Sequence, residues 1–146
     1  DPNHPSSTKK HYLYKNIVVV GIDTAGNIDF SALIPKHQYT INDLAIFSSY
    51  VRISTKDGIH FIYNDSRDNL VDLSKGWVRH FSIKDRKGVA VIASIDNEGH
   101  LERKILVEND EIPTIVVPKS CHPISEDKLL LFGKRGKKAQ FGMVSF

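Results

Sequence analysis

The sequence predicts an all-β fold of antiparallel hairpins, arranged as about two propeller-type blades. Three observations carry that expectation. Val and Ile together number 28 against 16 for Ala and Leu, and branching at Cβ suits a pleated surface better than a helix. Apolar runs of strand length flank glycine-centred turns, where Gly supplies a positive φ and a preceding Asp or Asn tolerates one. The turn residues Gly26, Gly58, Gly99 and Gly136 stand 32, 41 and 37 residues apart, near the roughly 40–50 residues of a propeller blade.

The elements follow in order. Residues 1–11 are polar and proline-rich at their start and read as a linker or arm, and 12–146 read as a single all-β domain. Asn16–Asp23 turns through Gly26 into Asn27–Ile34, where Ile28, Phe30, Ala32 and Ile34 alternate with Asn27, Asp29, Ser31 and Leu33, the period of a half-buried strand. Ile41–Phe47 is expected to make one helical turn capped by Asn42, and Leu70–Trp77 another, limited by Gly76. Tyr50–Thr55, Ile59–Asn64, Val89–Asp96 and His100–Val107 are expected to form one four-stranded blade. Its third strand is apolar on nearly both faces, as for a strand covered on each side, and its fourth carries Glu102, Arg103 and Lys104, as for a charged outer edge. Pro113, Pro118 and Pro123 mark an irregular connection. Lys128–Phe132 then turns through the basic stretch Gly133–Lys138 into Ala139–Phe146. Residues 16–34 read as the outer half of a preceding blade and 115–146 as the inner part of a following one. A closed propeller takes about 4–8 blades. Residue 1 is Asp and the one methionine is Met143, so the chain is expected to be the C-terminal part of a longer propeller; a free β-sandwich or open barrel is the alternative.

Composition excludes several classes. Hydrophobic residues are 40% and charged residues 25% of the chain, a globular balance that argues against disorder, collagen and coiled coil. No apolar run reaches the length of about 18 residues that spans a bilayer. Net charge is +3, concentrated at Lys134, Arg135, Lys137 and Lys138 without interleaved aromatics, so nucleic acid is not an expected partner. The single cysteine, Cys121, rules out an intrachain disulfide and a cysteine zinc cluster.

Lys15–Gln38 (KNIVVVGIDTAGNIDFSALIPKHQ), Ser48-Ser49-Tyr50, Gly58–Asp65 (GIHFIYND) and the closing pair Leu129–Phe146 together resemble the C-terminal blades of uncharacterised exported proteins of Bacteroidetes. Those carry a D-x-x-G-x-I-x-W turn, then I-P-K-x-Q, then an F-x-F-N-D-N hairpin. Here Phe30 takes the place where tryptophan is commoner, and Ser66 follows Asn64-Asp65 in place of asparagine. The resemblance spans most of residues 12–146 and implies a propeller and an extracytoplasmic address. It implies no activity.

Chemistry-bearing residues are sparse. The histidines His4, His11, His37, His60, His80, His100 and His122 include no HExxH pair, and His60 is expected to pack or hydrogen-bond within its sheet. Asn64-Asp65-Ser66-Arg67-Asp68-Asn69 offers side-chain oxygens to a cation such as calcium, but lacks the glycine and distal Glu of an EF-hand loop, so turn chemistry is the stronger reading. Cys121 and His122 are strand neighbours that point to opposite faces, so the thiol is expected to be idle. Asp43, Asp65, Asp68, Asp85 and Glu102 could supply a glycosidase pair, yet nothing in the sequence brings two together, and most read as solvated turns. Trp77 and Phe81, around Arg79 and His80, are expected in the core; exposed, they could stack on a sugar. No catalytic, metal or cofactor site is expected. The leading function is non-enzymatic binding or scaffolding toward a carbohydrate or protein ligand, with the remaining blades of a longer chain or a homo-oligomer as structural partners. A glycan-active enzyme fragment is the rival.

Overall fold

The computed structural model describes residues 8–71, 76–84 and 86–146. His11–Tyr14 (β1) pairs antiparallel with Gln38–Ile41 (β4) in a small ladder, between which Ile17–Ile22 (β2) and Ile28–Ile34 (β3) form a hairpin. Val51–Thr55 (β5), Gly58–Ser66 (β6), Gly88–Asp96 (β7) and Leu101–Glu108 (β8) form an antiparallel sheet in sequence order. A one-turn helix, Asp68–Val71 (α1), follows β6. The last sheet holds Ile115–Val116 (β9), His122–Pro123 (β10), Lys128–Arg135 (β11) and Lys138–Ser145 (β12), with β9 and β10 both on the free side of β11 and a 3-10 turn, Pro118–Ser120, between them. Among the described residues every sheet is antiparallel and none closes on itself.

The central sheet β5–β8 is the middle layer of three. On one face Phe61, Tyr63, Val89, Val91, Ala93 and Ile95 pack against Ile17, Ile34, Val19, Phe30 and Ala32 of the β2–β3 hairpin. On the other, Val51, Ile53, Ile62 and Ala90 pack against Val116, Cys121, Leu129, Leu131 and Val144 of the last sheet. Strand β7 is thus apolar on both faces because both are covered. The four expected strands of the central sheet pair as the turn chemistry requires. Asp96 accepts hydrogen bonds from the amides of Glu98 and His100 and Asp23 from those of Ala25 and Asn27, so the β7–β8 and β2–β3 turns share one design. Phe30 joins these two hairpins: a Cβ on Gly21 or on Gly99 would meet its ring at 2.4 or 2.5 Å.

Several expectations are corrected. Ile28 is exposed although Phe30, Ala32 and Ile34 point inward, because a bulge between Gly21 and Ile22 shifts the register before the turn. Ile41–Phe47 is not helical: Asn42, Leu44 and Ala45 have φ of +56°, +60° and +51°, so the segment is a chain of turns, with Asn42 accepting from the Lys10 amide. Of the second expected helical stretch, Leu70–Trp77, Leu70 and Val71 lie in α1, and residues 72–75 lie outside the described residues. Gly133 and Lys134 belong to β11, so the basic turn is only Gly136-Lys137 between Arg135 and Lys138. Of the run Glu102-Arg103-Lys104 on β8, Glu102 and Lys104 pair at 3.0 Å on the surface, but Arg103 turns inward and donates to the Asn69 carbonyl at 2.8 Å.

Candidate functional site

The run Asn64–Asn69 is where the sequence reading departs furthest from the structure. Asn64, Asp65 and Ser66 are not a loop: they end β6 and are fully buried. Asp65 is therefore not a solvated turn residue. Its Oδ1 accepts from the Ser66 amide at 2.8 Å and from Asn69 Nδ2 at 2.6 Å, while Asn69 also donates to the Arg79 carbonyl and accepts from its amide. Asn64 donates to the Phe47 carbonyl at 2.9 Å and the Val116 carbonyl at 2.7 Å. Gln38, from β4, donates to the Asn64 carbonyl and accepts from Lys36 Nζ at 3.0 Å and from the Ser49 amide. This buried polar network holds β4, residues 47–49, the end of β6 and β9 together.

Burial dominates its electrostatics. It pushes the Asp65 carboxyl up to about 6, against the opposing pull of its hydrogen bonds and of Arg103 and Lys36. It draws the Lys36 ammonium down to about 8, opposed by the Asp65 charge. An acid whose native pKa lies above its unfolded value loses stability as pH rises between the two. The Asp65 contribution therefore falls between about pH 4 and pH 6. Asp65→Asn is expected to remove this fall, so that variant and wild type diverge in urea denaturation across that window, by up to about 3 kcal/mol in the variant's favour at neutral pH. A constant difference across the window would show that Asp65 does not titrate there. Lys36 has the opposite sequence of events: its discharge in the native state adds stability as pH climbs above about 8.

The other candidates occupy ordinary structural places. His60 bridges Thr55 Oγ1 at 3.1 Å and Ser94 Oγ at 2.8 Å and lies 4.4 Å from the Phe146 ring, as the in-sheet reading expects. Cys121 is buried, and burial raises its thiol pKa. Asp68 pairs with Arg79 at 2.7 Å and Lys87 at 3.0 Å, and Asp43 caps the Ala45 amide. His4 and Asp85 lie outside the described residues. Phe81 is buried but Trp77 is 62% exposed, because the chain around Gly76 (φ +68°) carries it out of the core. His80 joins Tyr39, His11 and His37 in an open aromatic group, with centroids 5.7 to 6.0 Å apart between neighbours. Asp96, Glu98 and His100 sit within ligand reach of one another at the β7–β8 turn. The Asp96 oxygens there already serve the Glu98 and His100 amides and the His100 ring.

The most unusual surface is the outer face of β2–β3. Val18 is 67% exposed, Ile22 64%, Ile28 69% and Leu33 51%, with Val20 between them. Val18 pairs with Leu33 and Ile22 with Ile28, so these side chains form one continuous apolar strip. Such strips are unusual on a free surface. A comparison with the central sheet is instructive. Strand β7 carries Val91, Ala93 and Ile95 on one face, all fully buried under β2–β3. Strand β2 has the two-faced apolar character of β7 with only one face covered. The signal was legible as the run Ile17–Ile22, apolar at five of six positions.

Compared with protein-family models, with curated proteins and with solved structures, the chain finds no match. Among the described residues, no helix is long and apolar enough to cross a membrane.

Proposed function

We propose that this chain is a non-enzymatic scaffolding and binding module of propeller type, in which the β2–β3 hairpin, the central sheet and the last sheet are successive blades or parts of blades. The exposed strip Val18, Val20, Ile22, Ile28 and Leu33 supports this reading. It places on the surface what β7 keeps inside, and so calls for a further sheet laid against it. A protein surface suits the strip better than a carbohydrate, because burying branched aliphatic side chains is a gain of roughly 1.5–3 kcal/mol each when fully covered, whereas sugars are met by aromatic platforms and paired polar groups. The resemblance noted above adds an extracytoplasmic address to the proposal. The acids weighed for glycan chemistry that lie among the described residues serve as a cap (Asp43), in ion pairs (Asp68, Glu102) or in the buried network (Asp65).

Sedimentation velocity over a dilution series tests the reading. The isolated chain is expected to associate at tens of micromolar, more strongly in sulfate, which favours apolar burial, and to dissociate on dilution. A monodisperse monomer at every concentration that also fails to bind a hydrophobic dye would overturn it.

A further inference from the structure

Two histidines meet on the outer side of the first ladder. Gln38 of β4 forms an isolated parallel bridge with Phe81, and the Phe81 amide donates to the His37 carbonyl at 2.9 Å. Gln38 and Phe81 are buried, so alternation along extended chain turns their neighbours His37 and His80 to the other, outer side. The two ring centroids lie 5.7 Å apart, with the planes at 69°. Sequence spacing gives no sign of the pair, because a backbone bridge between distant segments brings it together.

Hydrogen bonding decides which nitrogen His80 offers. A carbonyl only accepts, so the 2.7 Å contact between His80 Nε2 and the Tyr39 carbonyl puts the proton on Nε2. In the neutral ring Nδ1 then carries the free lone pair. An imidazole that gives its other N–H to a backbone carbonyl is the usual form of a metal ligand, because that bond fixes tautomer and ring orientation. The accepting carbonyl is itself fixed. Tyr39 pairs with Leu13 in the β1–β4 ladder, and its hydroxyl bonds His11 Nδ1 at 2.7 Å. Among the described residues neither nitrogen of the His37 ring has a hydrogen-bond partner.

Spacing and charge both suit a cation. Two imidazoles on one tetrahedral ion hold their centroids roughly 5 Å apart, given metal–nitrogen bonds of about 2.0–2.1 Å. The observed 5.7 Å is close to that, and a turn of the unheld His37 ring supplies the rest. The neighbouring cations are engaged elsewhere. Lys36 Nζ donates to Gln38 Oε1 at 3.0 Å on the buried side, and Arg79 pairs with Asp68 at 2.7 Å.

We propose that His37 and His80 form a surface site for a divalent ion of the zinc and copper class, with water in the remaining positions. Imidazole nitrogen favours such ions over magnesium and calcium, which take oxygen ligands. Neither residue belongs to the apolar strip of β2–β3, so the site stands or falls apart from the blade reading.

The probe is zinc chloride, added to the full chain without an affinity tag. Calorimetry is expected to show one site with a Kd of about 50 μM or tighter, and no binding of magnesium or calcium chloride. His37→Gln and His80→Gln are each expected to weaken zinc by about tenfold or more. His100→Gln, in the Asp96, Glu98 and His100 group, is expected to leave it unchanged. In the wild-type chain zinc is expected to shield His37 and His80, but not the exposed His122, from diethyl pyrocarbonate, as read by peptide mass spectrometry. That footprint needs no variant, so it decides the matter even where a substitution disturbs the ladder. Absence of zinc binding overturns the proposal. So does binding that is lost in His100→Gln and kept in the other two, which would place the ion at the β7–β8 turn. A zinc-loaded chain whose His37 and His80 stay reactive overturns it as well.

Discussion

Gly58→Ala is expected to cost about 3–5 kcal/mol, enough to unfold much of a domain whose stability is about 5–15 kcal/mol. Gly58 has a φ of +145° and pairs with Asp96 where β6 begins. A Cβ there would stand 2.2 Å from the Ile95 carbonyl oxygen and 2.9 Å from the Asp96 Cα. Both are backbone atoms of β7, and Ile95 is completely buried, so the neighbour cannot yield. Gly136 is the control. Its φ of +59° also favours glycine, but nothing lies within 4 Å of its added Cβ, so Gly136→Ala is expected to cost only about 1 kcal/mol. Urea denaturation of both variants checks the contrast; equal losses would mean that the approach to β7 is not what Gly58 provides.

Asn64→Leu, which keeps the branched shape but replaces the amide with two methyl groups, is expected to cost about 2–4 kcal/mol. The change leaves the Phe47 and Val116 carbonyls without their donor, and Val116 is buried. The loss should be local as well as global. Val117 donates to the Phe132 carbonyl beside β9, and its amide is expected to exchange faster than those of β6 and β7 once β9 loses its tie to Asn64. Uniform acceleration across the chain would contradict that attachment.

The same two residues show why part of the fold was legible and part was not. Gly58 follows Lys56-Asp57 between alternating strands, so its turn could be read from neighbours in sequence, as could those at Gly26, Gly99 and Gly136. Asn64 sits in a polar run that reads locally as a turn. Its burial depends on Gln38, 26 residues earlier, and on Val116, 52 residues later. Nothing local signals that such distant carbonyls and amides will enclose Asp65. The short ladders β1–β4, β9–β11 and β10–β11 escaped for a related reason: strands of two to four residues carry no period, and their pairing is decided by what lies beside them. Trp77 was misplaced because aromatic size argues for burial while the glycine before it turns the chain outward. The apolar strip was within reach. Val89–Ile95 was read as a strand covered on both faces, and the similar run Ile17–Ile22 asks for the same cover.

The claim that the outer face of β2–β3 is an interface is tested most directly by the triple variant Val18→Thr, Val20→Thr and Ile22→Thr, which keeps β-branching at each position. Its unfolding free energy should be measured at low micromolar concentration and its sedimentation at high. The account predicts stability within about 0.5 kcal/mol per site of wild type, because the face is open in the single chain, together with loss of association. Destabilisation of several kcal/mol would mean that the face is covered within the chain itself. Unchanged association would mean that the chain assembles through another surface. Either result would contradict the account.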